Sequence, residues 1–242
     1  MNSNPLPLIS IVTVVYNAIS TLEHTLQSVI NQTYKNIEYI IIDGGSNDGT
    51  IELINKYRVH ISQFVSEHDD GIFDAMNKSL NLANGSWLIF LGADDLLLSP
   101  TIIEEVVPYF EKHDGIYYGN AYIKTINRLY NGKLNKWSMA LGSVSHQAIF
   151  YPKSVYKHKS YDQSFRIFAD HIYNIELFNS HTSQFVYIPK LISIYDGNGV
   201  SSHGKDEKYH KNLIKVIISN YGYLCGYYVW IRKKLYSLQE KI

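Results

Sequence analysis

A single cysteine, Cys225, stands in a chain of 242 residues. One thiol excludes an internal disulfide framework and any zinc site built on cysteines, and it accords with a reducing compartment. No uncharged apolar run reaches the roughly 20 residues of a membrane-spanning helix. The opening MNSNPLPLIS lacks the basic segment and apolar core of a secretory signal, so none is expected. Two nucleotide signatures are also missing. There is no GxxxxGKS/T loop, and no GxGxxG follows the first apolar run. Internal repeats and low-complexity segments are absent, and no linker stands out before residue 204.

What is present describes a soluble globular domain, with 45% hydrophobic and 18% charged residues. The formal net charge is zero but unevenly spread. From Lys205 onward there are eight Lys/Arg and three Asp/Glu, so the tail carries +5 and the preceding body −5. An acidic body without a nucleic-acid motif argues against nucleic acid as a partner. Tyrosine is abundant, with 21 residues, and it crowds the tail.

Residues 8–15 (LISIVTVV) read as a buried strand, being short, continuous and β-branched. Ser20 and Glu23 predict a capping box that opens a helix over 20–31. A second strand (37–42) stops at the Asp43-Gly44-Gly45-Ser46 turn, and a helix follows from about Asp48. Residues 61–66 predict a third strand, 71–83 a helix and 86–91 a fourth strand. Ser99-Pro100 predicts another helix, with Ser as N-cap. Strand-like pieces at 115–119, 121–130 and 147–151 precede a helix opening near Asp170, a strand at 185–195, a loop at 196–205 and a helical tail.

Alternating strands and helices predict a mostly parallel α/β sheet with helices on both faces. Such sheets bind ligands at the carboxyl ends of their strands. There the sequence puts Tyr16-Asn17, Asp43, Glu67 to Asp70, and the adjacent pair Asp94-Asp95. Neighbouring carboxylates either take up protons or bind cations. Without a P-loop lysine, a nucleotide held here needs a divalent metal between its phosphates and these carboxylates.

Four stretches, in order, resemble the family 2 glycosyltransferases: ISIVTVVYNA (9–18), IIIDGGSNDGT (40–50), SEHDDGIFDAMNKSLNLANGSWLIFLGADD (66–95), and HQAIFYPKSVYK with YDQSFRIFADHIYNIEL (146–177). The third most resembles bacterial enzymes of O-antigen, capsule and exopolysaccharide synthesis. The resemblance implies the GT-A fold over residues 1–204, followed by a basic, aromatic tail over 205–242. It also implies a metal-dependent inverting transfer of one sugar from a nucleotide-sugar, UDP-linked, to a hydroxyl of a lipid-linked saccharide. By the same resemblance Tyr16 stacks on the base and Asp43 accepts from its N–H. Asp69, Asp74 and Asp94 face ribose or donor sugar, Asp95 holds Mn²⁺ or Mg²⁺, and Asp170 is the catalytic base. His146 is a candidate for acceptor or diphosphate contact, and His203 for metal closure. His68 and Asp70 stand where proline and lysine are common in relatives. The QxxRW motif of processive synthases is missing, which implies single-sugar transfer.

Plainer readings exist for each residue. Tyr16 also suits a strand-end core position, Asp43 an Asx turn, and Asp94-Asp95 a helix cap. Asp69, Asp70, Asp74 and Asp170 also suit acidic helix starts. His146 suits a satisfied buried ring, and His203 a solvated one. Two other functions compete: a sugar-phosphate nucleotidyltransferase and a catalytically silent sugar-nucleotide-binding protein. The first needs a glycine-rich basic loop after strand one, where this chain reads YNAISTLEH. The tail, aromatic over 216–231 and then basic at Arg232-Lys233-Lys234, predicts a peripheral contact with the inner face of the cytoplasmic membrane. The competing account is packing on the domain or on a second copy.

Overall fold

The computed structural model describes residues 6–130, 132–142, 144–197, 199 and 206–239. His203 and residues 201–205 around it lie outside the described residues. Strands β1 (Ile9–Val15), β2 (Ile37–Asp43), β3 (Gln63–Ser66) and β4 (Trp87–Gly92) run parallel, in the order β3-β2-β1-β4. Between them run α1 (Leu22–Ile30), α2 (Thr50–Lys56) and α3 (Ile72–Leu82).

The alternating side chains of these strands feed two cores. Ile9, Ile11, Tyr39, Ile41, Ile89 and Leu91 join one cluster with Leu22, Leu26 and Ile54 of α1 and α2. Their neighbours Val12, Val14, Ile40, Ile42, Leu88 and Phe90 join the other with Phe73, Met76 and Leu80 of α3. A strand period of two therefore fills both faces with β-branched and aromatic residues, as a helix-covered sheet requires.

Beyond β4 the chain is less regular. It forms β5 (Leu96–Leu97), α4 (Ile102–Val106), β6 (Ile116–Ile123), β7 (Arg128–Tyr130), α5 (Lys136–Leu141), β8 (Ile149–Pro152) and α6 (Lys153–Tyr156). Then come α7 (Ala169–Ser180), β9 (Phe185–Tyr195), α8 (Glu207–Tyr221) and α9 (Tyr223–Gln239). The sheet continues as β4-β8-β6-β9-β5. β8 is antiparallel to both β4 and β6, β9 is parallel to β6, and β5 is antiparallel to β9. A parallel half thus carries a mixed extension.

Three local expectations are corrected. Ser20 caps nothing, because the Thr21 and Leu22 amides both bond the Ala18 carbonyl and α1 opens at Leu22. Ser99 does not cap α4, whose N-cap is Thr101. The Leu98 amide still pairs with Ile192 of β9 at 2.9 Å, and residues 98–101 turn before α4 opens at Ile102. The predicted strand 121–130 is the end of β6 and all of β7, folded into a hairpin at Asn127, which has φ 48°.

The tail is helical, broken at Gly222, whose φ of 86° suits a residue without Cβ. Its inner face packs on the domain: Tyr209, Leu213, Ile217, Cys225 and Val229 belong to the same core as α3 and α7.

Candidate active site

The carboxyl ends of β1, β2 and β4 form one rim. Tyr16 leaves β1 exposed, which removes the core-aromatic reading. The loop behind it is sewn to the β2–α2 loop. The Asn17 amide bonds Ser46 Oγ at 2.8 Å, the Ala18 amide bonds Thr50 Oγ1 at 2.9 Å, and Asn17 Oδ1 accepts from the Asn47 amide at 2.9 Å.

Asp43 ends β2 fully buried. Its Oδ2 accepts from the Gly45 amide (3.1 Å), the Ser46 amide (3.0 Å) and Ser66 Oγ (2.7 Å). The Asx-turn role is therefore real. Oδ1 takes the Ser46 hydroxyl, which can rotate. Asp69 lies against Gly44 so closely that a Cβ there would collide with its carboxylate. The missing side chain is what lets Asp69 stand beside the end of β2. Asp74, in the first turn of α3, is committed elsewhere: it accepts from the Asp70 amide at 3.2 Å and Gln163 Nε2 at 3.1 Å, and pairs with Lys78 at 3.1 Å. Lys78 also reaches Glu67 at 2.9 Å, so one cation answers two of the rim's acids. The sequence reading passed over Lys78, although its i+4 spacing from Asp74 on a helix was a usable signal.

Asp94 and Asp95 follow β4 and differ sharply. Asp94 is half-buried, and its carboxylate takes no hydrogen bond among the described residues. Asp95 is 2% exposed. It accepts from the Gly92 amide and from Gln147 Nε2, the latter at 3.1 Å. The side chain of Gln147, next to His146 in the chain, is what holds Asp95. His146 lies between two acids. Its Nε2 is 3.8 Å from Asp95 Oδ2 and its Nδ1 is 3.9 Å from Asp170 Oδ2. Asp170 lies in the first turn of α7 and is 17% exposed. The sheet rim and the later half of the chain therefore meet across one imidazole.

Burial lifts the Asp95 carboxyl to about 6, with His146 opposing the rise and Asp94 adding to it. Burial pulls His146 toward its neutral form, but Asp170, Asp95 and Asp94 outweigh that and leave its pKa raised. Both groups bind protons more tightly folded than unfolded, so both contribute stability that is lost as pH rises. In the absence of a divalent cation, the melting temperature is expected to fall between pH 5 and pH 8. The share of Asp95 is on the order of 1 kcal/mol over that window. Asp95→Asn should flatten the profile. A parent protein whose melting temperature rises across the window would contradict the burial of Asp95.

No group of three His, Cys, Asp or Glu side chains forms a metal cage among the described residues. The donor set still fits a hard cation borne by a nucleotide diphosphate. Such ions bind through one or two carboxylates plus phosphate oxygens, and Asp94 has an uncommitted carboxylate beside Asp95.

The mixed sheet with its flanking helices is that of the GT-A fold, and the chain belongs to glycosyl transferase family 2, whose sequence pattern matches residues 10–182. Among its relatives is a PGL/p-HBAD biosynthesis glycosyltransferase of Mycobacterium bovis, 29% identical over 215 residues, covering 86% of this chain and 84% of that one. Among solved structures, S. aureus TarS 1-349 in complex with UDP has a TM-score of 0.69 at 15% identity, covering 88% of this chain and 65% of that one. A Pyrobaculum calidifontis mannosyltransferase, in complex with GDP-Man and Mn²⁺, has a TM-score of 0.62 at 13% identity, covering 96% and 81%. The present chain thus spans just under two thirds of the TarS fragment.

Proposed function

We propose that the protein is an inverting glycosyltransferase that moves one sugar from a UDP-sugar to a hydroxyl of a lipid-linked saccharide, in the synthesis of a bacterial surface polysaccharide. The observation that carries this reading is the approach of Asp170 and Asp95 to opposite nitrogens of His146. A carboxylate from the later half of the chain stands next to the strand ends where a nucleotide-sugar would lie.

In this reading the exposed Tyr16 ring stacks on the base. Asp43 accepts from the base N–H as the Ser46 hydroxyl turns away. Asp69, packed on Gly44, and Asp94 face the ribose and donor sugar, while Asp74 holds the rim through Lys78 and Gln163. Asp94 and Asp95 would hold Mn²⁺ or Mg²⁺, which when bound offsets the charge of the departing diphosphate. Asp170 takes the proton of the acceptor hydroxyl as that oxygen attacks the anomeric carbon; the bond to UDP breaks on the opposite face. His146 keeps Asp170 turned toward this edge. Release of UDP from a panel of nucleotide-sugars tests the reading.

The acceptor's lipid is where the tail enters. No helix among the described residues is long and apolar enough to cross a membrane. On α9, Tyr223, Leu224, Tyr227 and Trp230 are exposed while Cys225 and Val229 face the core. The outward face continues onto α5, where Trp137 meets Tyr228 edge-on at 5.3 Å. Exposed aromatics here carry basic partners: Arg128 over Tyr130, Lys136 over Trp137 and Lys234 over Trp230. Residues 124–141 hold four Lys/Arg and no Asp/Glu. Aromatic rings mixed with cations suit an anionic bilayer surface. The double substitution Tyr227→Ser/Trp230→Ser should weaken sedimentation with phosphatidylglycerol vesicles by roughly 10-fold or more, the equivalent of about 1.4 kcal/mol, and high salt should weaken the parent. Unchanged vesicle binding would count against the contact. A switch from dimer to monomer would instead assign the face to a second copy.

A further inference from the structure

We propose that the first turn of α8 is a clamp that positions the Asp170 carboxylate, with Tyr209 as its central positioning residue. The inference rests on the reading of Asp170 as the base, and it assigns part of the base's geometry to a helix far along the chain.

Helix α7 begins without a cap of its own. Its N-cap, Phe168, offers no side-chain hydrogen bond. The backbone that presents Asp170 is held from outside instead. Asp206 is 4% exposed. Its Oδ2 accepts from the Ile167 amide at 3.0 Å, and its Oδ1 caps α8 by accepting from the Tyr209 amide at 3.0 Å. The Tyr209 ring packs on the Phe168 ring with centroids 4.6 Å apart. The Tyr209 hydroxyl meets His171 Nδ1 at 2.6 Å. Residues 167, 168 and 171 are therefore all gripped by Asp206 and Tyr209, and Asp170 lies between them.

The proton positions in this contact follow from chemistry. His171 Nε2 lies 2.6 Å from the Met139 carbonyl oxygen. A carbonyl only accepts, so Nε2 carries the proton. Burial holds the pKa of His171 down, so the ring is neutral and Nδ1 is an acceptor. Tyr209 must then donate, and burial, which raises its pKa, keeps its proton in place. The pair has one arrangement, and it fixes the His171 backbone. The His171 amide in turn donates to Asp170 Oδ1 at 2.8 Å, leaving Oδ2 on the His146 side.

Helix α8 supplies an internal control. The Tyr221 hydroxyl also donates to α7, to the Ile175 carbonyl at 2.9 Å, but further along the helix from Asp170. Tyr209→Phe and Tyr221→Phe each remove one tyrosine hydroxyl from the same helix pair. Both should lower the melting temperature, and only the first should change the chemistry.

The experiment compares the two variants and the parent in steady-state hydrolysis of UDP-N-acetylglucosamine with Mn²⁺, at a temperature well below all three melting points. Tyr209→Phe is expected to lower kcat by roughly 10- to 100-fold, the scale of a misplaced catalytic group, with the donor KM within about twofold of the parent, since the displaced group does not bind donor. Tyr221→Phe is expected to keep the parent kcat. Asp206→Asn, which weakens the grip on the Ile167 amide through a separate contact, should reproduce the kcat loss at unchanged KM, and it serves if Tyr209→Phe folds poorly. Equal kcat for Tyr209→Phe and Tyr221→Phe would overturn the clamp, as would a KM that rises in step with the loss of kcat. Full activity in Asp170→Asn would instead overturn the reading of the base, so the two failures are distinguishable.

Discussion

Asp170→Asn is expected to lower turnover by roughly 100-fold or more, the usual scale for loss of a general base. The substitution keeps the size of the side chain and an oxygen to accept the His171 amide, so the local turn should survive. What it removes is the capacity to take a proton beside His146. Donor affinity, measured by calorimetry with UDP-sugar and Mn²⁺, should stay within about twofold of the parent, because the rim residues proposed to face the nucleotide are untouched. The opposite pattern, weak donor binding with high residual turnover, would make Asp170 a donor ligand and remove it as the base.

The second large effect is expected at the Asp94-Asp95 pair. Asp95→Asn should cut the Mn²⁺-dependent part of UDP affinity by roughly 100-fold, the upper end for perturbed metal sites. In EDTA the variant and the parent should bind UDP alike. A carboxyl raised to about 6 by burial is costly to ionise, and a cation arriving with a diphosphate repays that cost. Asn keeps the shape beside Gly92 and Gln147 but brings no charge. Asp94→Asn should give a comparable loss, because its carboxylate is the uncommitted one. Full metal-dependent binding in both variants would exclude the pair as the ion's seat.

Much of this was legible in the chain. β1, β2 and β4 are short, mostly apolar runs that end at polar turns, and such strands declare themselves. Their ends put Tyr16, Asp43 and Asp94-Asp95 on one rim. The later half was harder, for physical reasons. β5 has two residues, too few for any period, and exists because β9 pairs with it. β8 enters antiparallel between β4 and β6, an arrangement set by tertiary packing. Ser20 and Ser99 are good capping residues that the backbone does not use. α5 opens at Asn135, whose side chain bonds the Trp137 and Ser138 amides, a cap that the sequence reading overlooked. The meeting of His146 with Asp95 and Asp170, and of His171 with Tyr209, joins residues 24 to 51 positions apart, and no local pattern encodes those distances.

The account stands or falls on one measurement. The full chain is mixed with UDP-glucose, UDP-galactose, UDP-N-acetylglucosamine or GDP-mannose in Mn²⁺, and nucleotide release is followed by phosphorus NMR. A parallel sample holds UTP with sugar 1-phosphate. The account predicts that at least one nucleotide-sugar releases its nucleoside diphosphate, that Asp170→Asn suppresses the release, and that the parallel sample forms no pyrophosphate. Pyrophosphate from UTP, or binding of nucleotide-sugars with no release from any of them, would contradict it.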